Sequence, residues 1–332
     1  MRQILIGIVV FFVMYEVNAV SQIKKDARNN GALGKITLKV VDDQYNIVTN
    51  ANITGYFSNE LKGYKDYSGV TDTNGLFTIS EVSDHEMSYR ITKDGYYKTS
   101  DIYYFNKAGQ ECAERDKFAP WKIKWIPWNP TVTVILKKIR NPIPMKVREI
   151  KAVFPGLEKY YPFDLDVGDW VEPLGKGRKA HIYIYHYNNT IDTFTGEWVL
   201  KMKTAAPPTG LQIAEHDNYS EFRTMHLAPE NNYTNFLEFV SERNAKEIFK
   251  NTKLEKNQYL IFKCQNSTNP PTYNYGKIYQ PLRYGKFRNS GKYEIHFTYY
   301  YNPTPDDRNL EYAPKQNLID YSDMRFPPHF KP

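Results

Sequence analysis

Cysteine is nearly absent: the 332 residues hold two, Cys112 and Cys264. Two thiols make at most one bridge, so a disulfide scaffold is excluded and the core must come from packing. In an oxidising compartment the pair can form one disulfide if their Cα atoms come within roughly 7 Å; the alternative is that both stay reduced and buried. Glycine is scarce, at 18 residues against 28 tyrosines, although it is normally among the commonest residues. Long apolar runs are missing beyond Met14, so no transmembrane segment is expected in the mature chain. Signature enzyme spacings are missing too: there is no G-x-S-x-G, no HExxH, no P-loop and no G-x-G-x-x-G. Charge is only mildly one-sided, with 44 Lys and Arg against 37 Asp and Glu, a net of +7. A nucleic-acid reader concentrates basic residues on one element. The densest basic run here, Lys137-Lys138-Ile139-Arg140, sits at an apparent junction, so no nucleic-acid partner is expected.

The chain does carry an N-terminal pattern. Arg2 precedes an apolar run from Ile4 to Met14, and Val17-Asn18-Ala19 places small or modest side chains after it. This is the layout of a signal peptide over residues 1–19, cleaved near Ala19, and it predicts a secreted or periplasmic protein. Residues 20–33 are polar and read as a flexible leader.

From Gly34 onward the pattern is β. Ile36, Leu38 and Val40 alternate with Thr37 and Lys39, the period of a strand with one buried face. Asn74-Gly75 is a strong hairpin signal, because both residues tolerate the positive φ of tight turns. Phe77 and Ile79 follow on one face, and Met87, Tyr89 and Ile91 alternate next. Asp94-Gly95 turns the chain again, and Thr131–Leu136 reads as a closing strand.

On these residues the segment from Gly34 to about Leu136 resembles the carboxypeptidase regulatory-like family. The matching features are the opening strand ending in Asp42, the strand at Ala51-Asn52-Ile53, Thr71-Asp72-Thr73-Asn74-Gly75-Leu76-Phe77, and Lys93-Asp94-Gly95-Tyr96. The resemblance implies a transthyretin-like β-sandwich, usually non-catalytic and attached to enzymes, receptors or surface proteins. An insertion between Ser100 and Asn129, containing Cys112, Trp121, Trp125 and Trp128, departs from the pattern.

Arg140-Asn141-Pro142-Ile143-Pro144 reads as a linker, since two prolines oppose a regular strand. The expected domains are residues 34–139 and 145–332. The second contains strand patterns at Val147–Phe154, His181–Tyr187, Glu197–Lys203, Gln258–Cys264, Tyr275–Tyr279 and Tyr293–Tyr301. Phe236–Lys250 fits either a helix or an extended pair with a turn at Arg243-Asn244. The fold class is therefore mainly β, two β-sandwich domains in tandem, the second with long loops.

Candidate chemistry is thin. Asp164, Asp166 and Asp169 crowd one short segment, but the calcium-loop glycine and closing glutamate are missing; a polar turn is the simpler reading. His181 and His186 flank a strand at an odd offset, on opposite faces, and His216, Asp217 and His226 fall in loops. No metal or cofactor is expected. Trp121, Trp125 and Trp128 lie in an irregular, Pro-flanked stretch, where binding residues concentrate, and they are the candidate platform for a glycan or an envelope protein partner. The expectation is an exported, non-catalytic binding or structural protein. The alternative is a hydrolytic or metal-dependent enzyme built on the loops Asp164–Asp169 and His216–His226.

Overall fold

The computed structural model describes residues 22–59, 63–105, 113–119, 121–190, 195–217, 219–243, 248–321 and 330–332. The expected export signal, residues 1–19, and Cys112 lie outside them. The chain is mainly β and divides into two compact units, one comprising the described residues through Ile139 with Tyr219–Glu221, the other the remainder.

The first unit contains strands β1 (Ala32–Asp42), β2 (Asn52–Phe57), β3 (Lys65–Val70), β4 (Leu76–Ser83), β5 (Glu86–Thr92), β6 (Thr99–Tyr104), β7 (Ala113–Arg115), β8 (Ile123–Trp125) and β9 (Thr131–Leu136). β1 pairs antiparallel with β4 and parallel with β8 and β9, and β7 lies beyond β8. The second sheet runs β3-β2-β5-β6, antiparallel throughout. Ile36, Leu38 and Val40 from β1 meet Ile53, Phe57, Met87 and Ile91 from the other sheet in one core, so the two sheets form a sandwich. The strand Thr131–Leu136 stands as read. The insertion after Ser100 supplies β7 and β8 to the first sheet.

The expected flexible leader is instead ordered. Residues 22–30 form a helix, Ala27 is completely buried with Ile23 packed beside it, and β1 already starts at Ala32. The alternation of the strand masked this, because one alanine and one isoleucine give too little pattern for a nine-residue helix. The proposed linker is also shorter than read: β10 begins at Ile143, which pairs with Tyr312, and includes Pro144. Pro144 forfeits one donor, which a strand tolerates where no ladder bond is needed.

The second unit contains β10 (Ile143–Val153), β11 (Tyr160–Asp164), β12 (Asp169–Trp170), β13 (Ile182–Thr190), β14 (Gly196–Lys203), β15 (Gly210–Glu215), β16 (Phe236–Arg243), β17 (Ile248–Thr252), β18 (Gln258–Thr268), β19 (Pro271–Lys286), β20 (Tyr293–Asn302) and β21 (Tyr312–Asn317). Two six-stranded sheets result, β15-β18-β19-β20-β10-β21 and β12-β11-β13-β14-β16-β17. Ile182, Ile184, Leu200 and Met202 from one meet Leu260, Phe262, Ile295, Phe297 and Tyr299 from the other in a common core. The segment Phe236–Lys250 resolves as the extended pair β16 and β17: every second residue, Leu237 and Phe239, faces that core, which a helix would not achieve.

Carboxylates shape the turns. Asp72 Oδ1 accepts the N–H groups of Asn74 and Leu76, each at 2.8 Å. This leaves Gly75 at φ +71°, where an added Cβ would stand 2.8 Å from the Val40 carbonyl oxygen. Thr71 Oγ1, fully buried, accepts from Ala51 N–H and donates to Val48 C=O. The T-D-T-N-G segment thus closes its own hairpin and ties it to the Val48–Ala51 segment. Gly75→Ala is expected to lower stability by roughly 1–3 kcal/mol, the cost of positive φ plus the backbone clash; a denaturant midpoint unchanged from wild type would show that this turn relaxes freely.

Candidate functional site

A concavity of the first unit lies on the outer face of the sheet β3-β2-β5-β6. Burial of Ile53, Phe57, Met87, Tyr89 and Ile91 on the inner face forces the intervening residues outward, because a strand alternates. The register then aligns them in two rows. Ser68 lies opposite Thr54, Thr54 opposite Arg90, and Arg90 opposite Ser100. In the second row Asp66 lies opposite Tyr56, Tyr56 opposite Ser88, and Ser88 opposite Ile102. Together they line a concavity of about 780 Å³, within the size range of small-ligand sites.

Its floor is rigid. Gly55 leaves room for the Tyr67 ring, since a Cβ there would meet the Tyr67 hydroxyl at 2.6 Å. Tyr67 donates to Ser88 C=O at 2.7 Å, and Tyr89 donates to Asp101 at 3.3 Å. Burial raises both phenols well above the usual tyrosine range, so both stay protonated donors. Above the floor, Asp66 and Arg90 are exposed and have no hydrogen-bond or ion-pair partner among the described residues. Tyr56 is half-buried and meets the exposed Tyr64 ring edge-on at 4.9 Å. The face therefore offers an uncommitted anion, an uncommitted cation, four hydroxyls and an aromatic ring.

The three tryptophans singled out in the sequence do not form one platform. Trp125 is 1% exposed, packed in the core against Phe105, and its indole N–H donates to Ser83 C=O at 2.9 Å. It sits at the end of β8, whose alternation turns it inward, so its assignment to ligand binding is corrected. Trp121 is 76% exposed, and Trp128 is 40% exposed with Lys35 and Lys124 ammonium groups 5.9 and 5.8 Å from its ring. The concave face was missed because its residues are individually ordinary; the usable signal was the outward phase of β2 and β5.

The loop groups of the second unit are dispersed. Asp164 is buried and accepts the N–H groups of Asp166, Val167, Arg178 and Lys179. Burial disfavours its charge, but His181, 3.1 Å away, and the N–H groups of Arg178 and Lys179 outweigh it and hold the carboxyl well below its usual range. Asp166 pairs with Lys146 at 2.5 Å. Asp169 accepts from the backbone of Trp170 and Lys176 and borders a separate concavity of about 550 Å³ with Arg148 and Tyr321. No group of three metal-ligating side chains occurs among the described residues. Cys264 is a free, fully buried thiol donating to Asn274 C=O at 3.6 Å, with its pKa pushed up to about 12 by burial.

No protein-family model matches the chain, and no curated protein sequence matches it. Among solved structures, 3-chlorocatechol 1,2-dioxygenase from Rhodococcus opacus 1CP is 12% identical over 33% of this chain and 61% of its own length, with a TM-score of 0.27. A "putative carbohydrate binding protein" from Bacteroides uniformis is 8% identical over 80% of this chain and 96% of its own, with a TM-score of 0.19. BcpA, the major pilin subunit of Bacillus cereus, is 10% identical over 80% and 95%, with a TM-score of 0.22. At such scores these likenesses carry no argument about function. No helix among the described residues is long and apolar enough to cross a membrane.

Two outcomes follow from this geometry. Trp125→Ala is expected to cost about 3–5 kcal/mol as a buried aromatic deletion, whereas Trp121→Ala should stay within about 0.5 kcal/mol; equal effects in urea titrations would contradict the placement. His186 is completely buried among Phe154, Tyr284 and Tyr293, and burial holds its pKa below 6.5. The unfolded chain then binds more protons than the folded one as pH falls through 6.5, so stability is complete above that pH and declines below it, by up to about 1.4 kcal/mol per pH unit. The stability difference between wild type and His186→Phe should therefore shift in the variant's favour from pH 7 to pH 5; a difference independent of pH would rule the titration out.

Proposed function

We propose that this protein is an exported, non-catalytic binding protein that holds a glycan on the outer face of β3-β2-β5-β6. The observation that carries the reading is the concave face itself: Asp66 and Arg90 are uncommitted, hydroxyls surround them, and the Tyr56 ring stands among them. Sugar hydroxyls need donors and acceptors together, while the C–H face of a pyranose packs on an aromatic ring. The site has both, and its inner hydrogen bonds preorganise it, which lowers the cost of binding.

The resemblance of the first unit to the carboxypeptidase regulatory-like family supports a role in binding rather than catalysis. So does the use of Asp72 and Asp164 as turn acceptors. The N-terminal apolar run supports export to the periplasm or the exterior, where a glycan or an envelope protein would be met.

A glycan array probed with the full chain tests this reading. Binding is expected, and Tyr56→Ala or Arg90→Ala should weaken it roughly tenfold or more, while Trp121→Ala and Trp128→Ala leave it intact. Absence of binding, or binding indifferent to Tyr56 and Arg90, would overturn it.

A further inference from the structure

The second unit carries another surface of different chemistry, on the outer face of β11, β13, β14 and β16. Ile182, Ile184, Leu200 and Met202 are buried on the inner side, so Tyr183, Tyr185, Lys201 and Lys203 are turned outward. The register again builds two rows. Pro162 lies opposite Tyr183, Tyr183 opposite Lys203, and Lys203 opposite Phe236. One row along, Tyr160 lies opposite Tyr185, Tyr185 opposite Lys201, and Lys201 opposite Glu238. Successive outward rows on a strand are about 7 Å apart.

The rings and the ammonium groups are interleaved. Lys203 Nζ stands 4.2 Å from the Tyr160 ring centroid and 5.6 Å from that of Tyr183. Lys201 Nζ lies 5.4 Å from the Tyr185 ring, and Tyr160 and Tyr185 are 5.3 Å apart. Lys201 is already committed to Glu238 at 3.3 Å. Lys203 has no carboxylate partner among the described residues, so its charge is balanced only by ring faces. The acidic pair Glu197 and Glu242, opposite each other on β14 and β16, lies at the far end of the face, three outward rows from Lys203.

We propose that this tyrosine–lysine face binds a short carboxylated oligosaccharide, a uronate-bearing chain, with sugar rings on Tyr160, Tyr183 and Tyr185 and a carboxylate on Lys203. One uncommitted cation beside several rings suits a ligand held by stacking with a single anchoring charge. A nucleic-acid strand draws instead on many phosphate contacts, which this face does not supply. The site lies in a different unit from the glycan face proposed above, and neither depends on the other.

Fluorescence-polarisation titration of the full chain with labelled trigalacturonate tests the assignment, with maltotriose and a single-stranded oligonucleotide as competitors. Trigalacturonate is expected to bind and to weaken at about 1 M salt, where charges are screened within about 3 Å. Lys203→Gln and Tyr183→Ala should each weaken binding roughly tenfold, Lys203→Arg should retain it, and Trp121→Ala should leave it unchanged. Thermal melts at the wild-type temperature would establish that the variants are folded. No binding by the wild type, indifference to Lys203 and Tyr183, or competition by maltotriose as strong as by unlabelled trigalacturonate would overturn the proposal. Equal competition by the oligonucleotide would do so too, by exposing a surface that answers to charge alone.

Discussion

A β-strand has two faces, and committing one of them to the core dictates what the other can do. In the first unit Ile53, Phe57 and Ile91 must meet β1 across the sandwich, so Thr54, Tyr56 and Arg90 have no choice but solvent. In the second, burial of Ile184 and Met202 delivers Tyr183, Tyr185, Lys201 and Lys203 to the opposite side. Both candidate surfaces are thus by-products of core packing. A shift of one residue in register would exchange the two sets and destroy core and surface together, which ties the integrity of each site to the stability of its sandwich.

Several acidic residues of this chain act as backbone acceptors. Asp42 accepts two N–H groups and the Asn46 side chain, so that although burial disfavours its charge, the hydrogen bonds prevail and its carboxyl ionises more readily than usual. Asp72 accepts two N–H groups in the hairpin before β4, and Asp164 gathers four N–H groups around the turn after β11. Glu311 receives Arg140 and Asn141 N–H groups where β10 begins. In Asp42 and Asp164, lone pairs filled this way stabilise the anion and make the carboxylate a poor proton acceptor. The pattern accounts for Asp164 and Asp169 lying close together in one short stretch, each with its oxygens turned to backbone N–H groups.

The tyrosine surplus has a structural use that glycine scarcity complements. Tyr299 is buried, yet its hydroxyl reaches Leu165 C=O at 2.6 Å, and Tyr300 reaches Lys331 C=O at 2.9 Å. A tyrosine fills apolar volume with its ring and satisfies a loop carbonyl with its tip. Long loops can then be fastened to the sheets without disulfides, which suits a chain whose described cysteine, Cys264, is a buried thiol.

Alternation and turn chemistry are local properties, so the mainly β class, the Asn74-Gly75 hairpin, the strand at Thr131–Leu136 and the face shared by Ile295, Phe297 and Tyr299 were all legible in the sequence alone. The Phe236–Lys250 segment was not, since its apolar spacing fits two periods and only the neighbouring strand β14 decides between them. Ordering of residues 22–30 likewise depends on a pocket in the core that accepts Ala27. The candidate faces required more still. Asp66, Tyr56, Arg90 and Ser100 come from four strands, and Tyr160, Tyr183 and Lys203 from three. Which residues become neighbours across a sheet is set by strand order and register, long-range quantities that no spacing along the chain encodes. For the same reason Trp125 and Trp128, three residues apart in sequence, ended on opposite sides of the boundary between core and solvent.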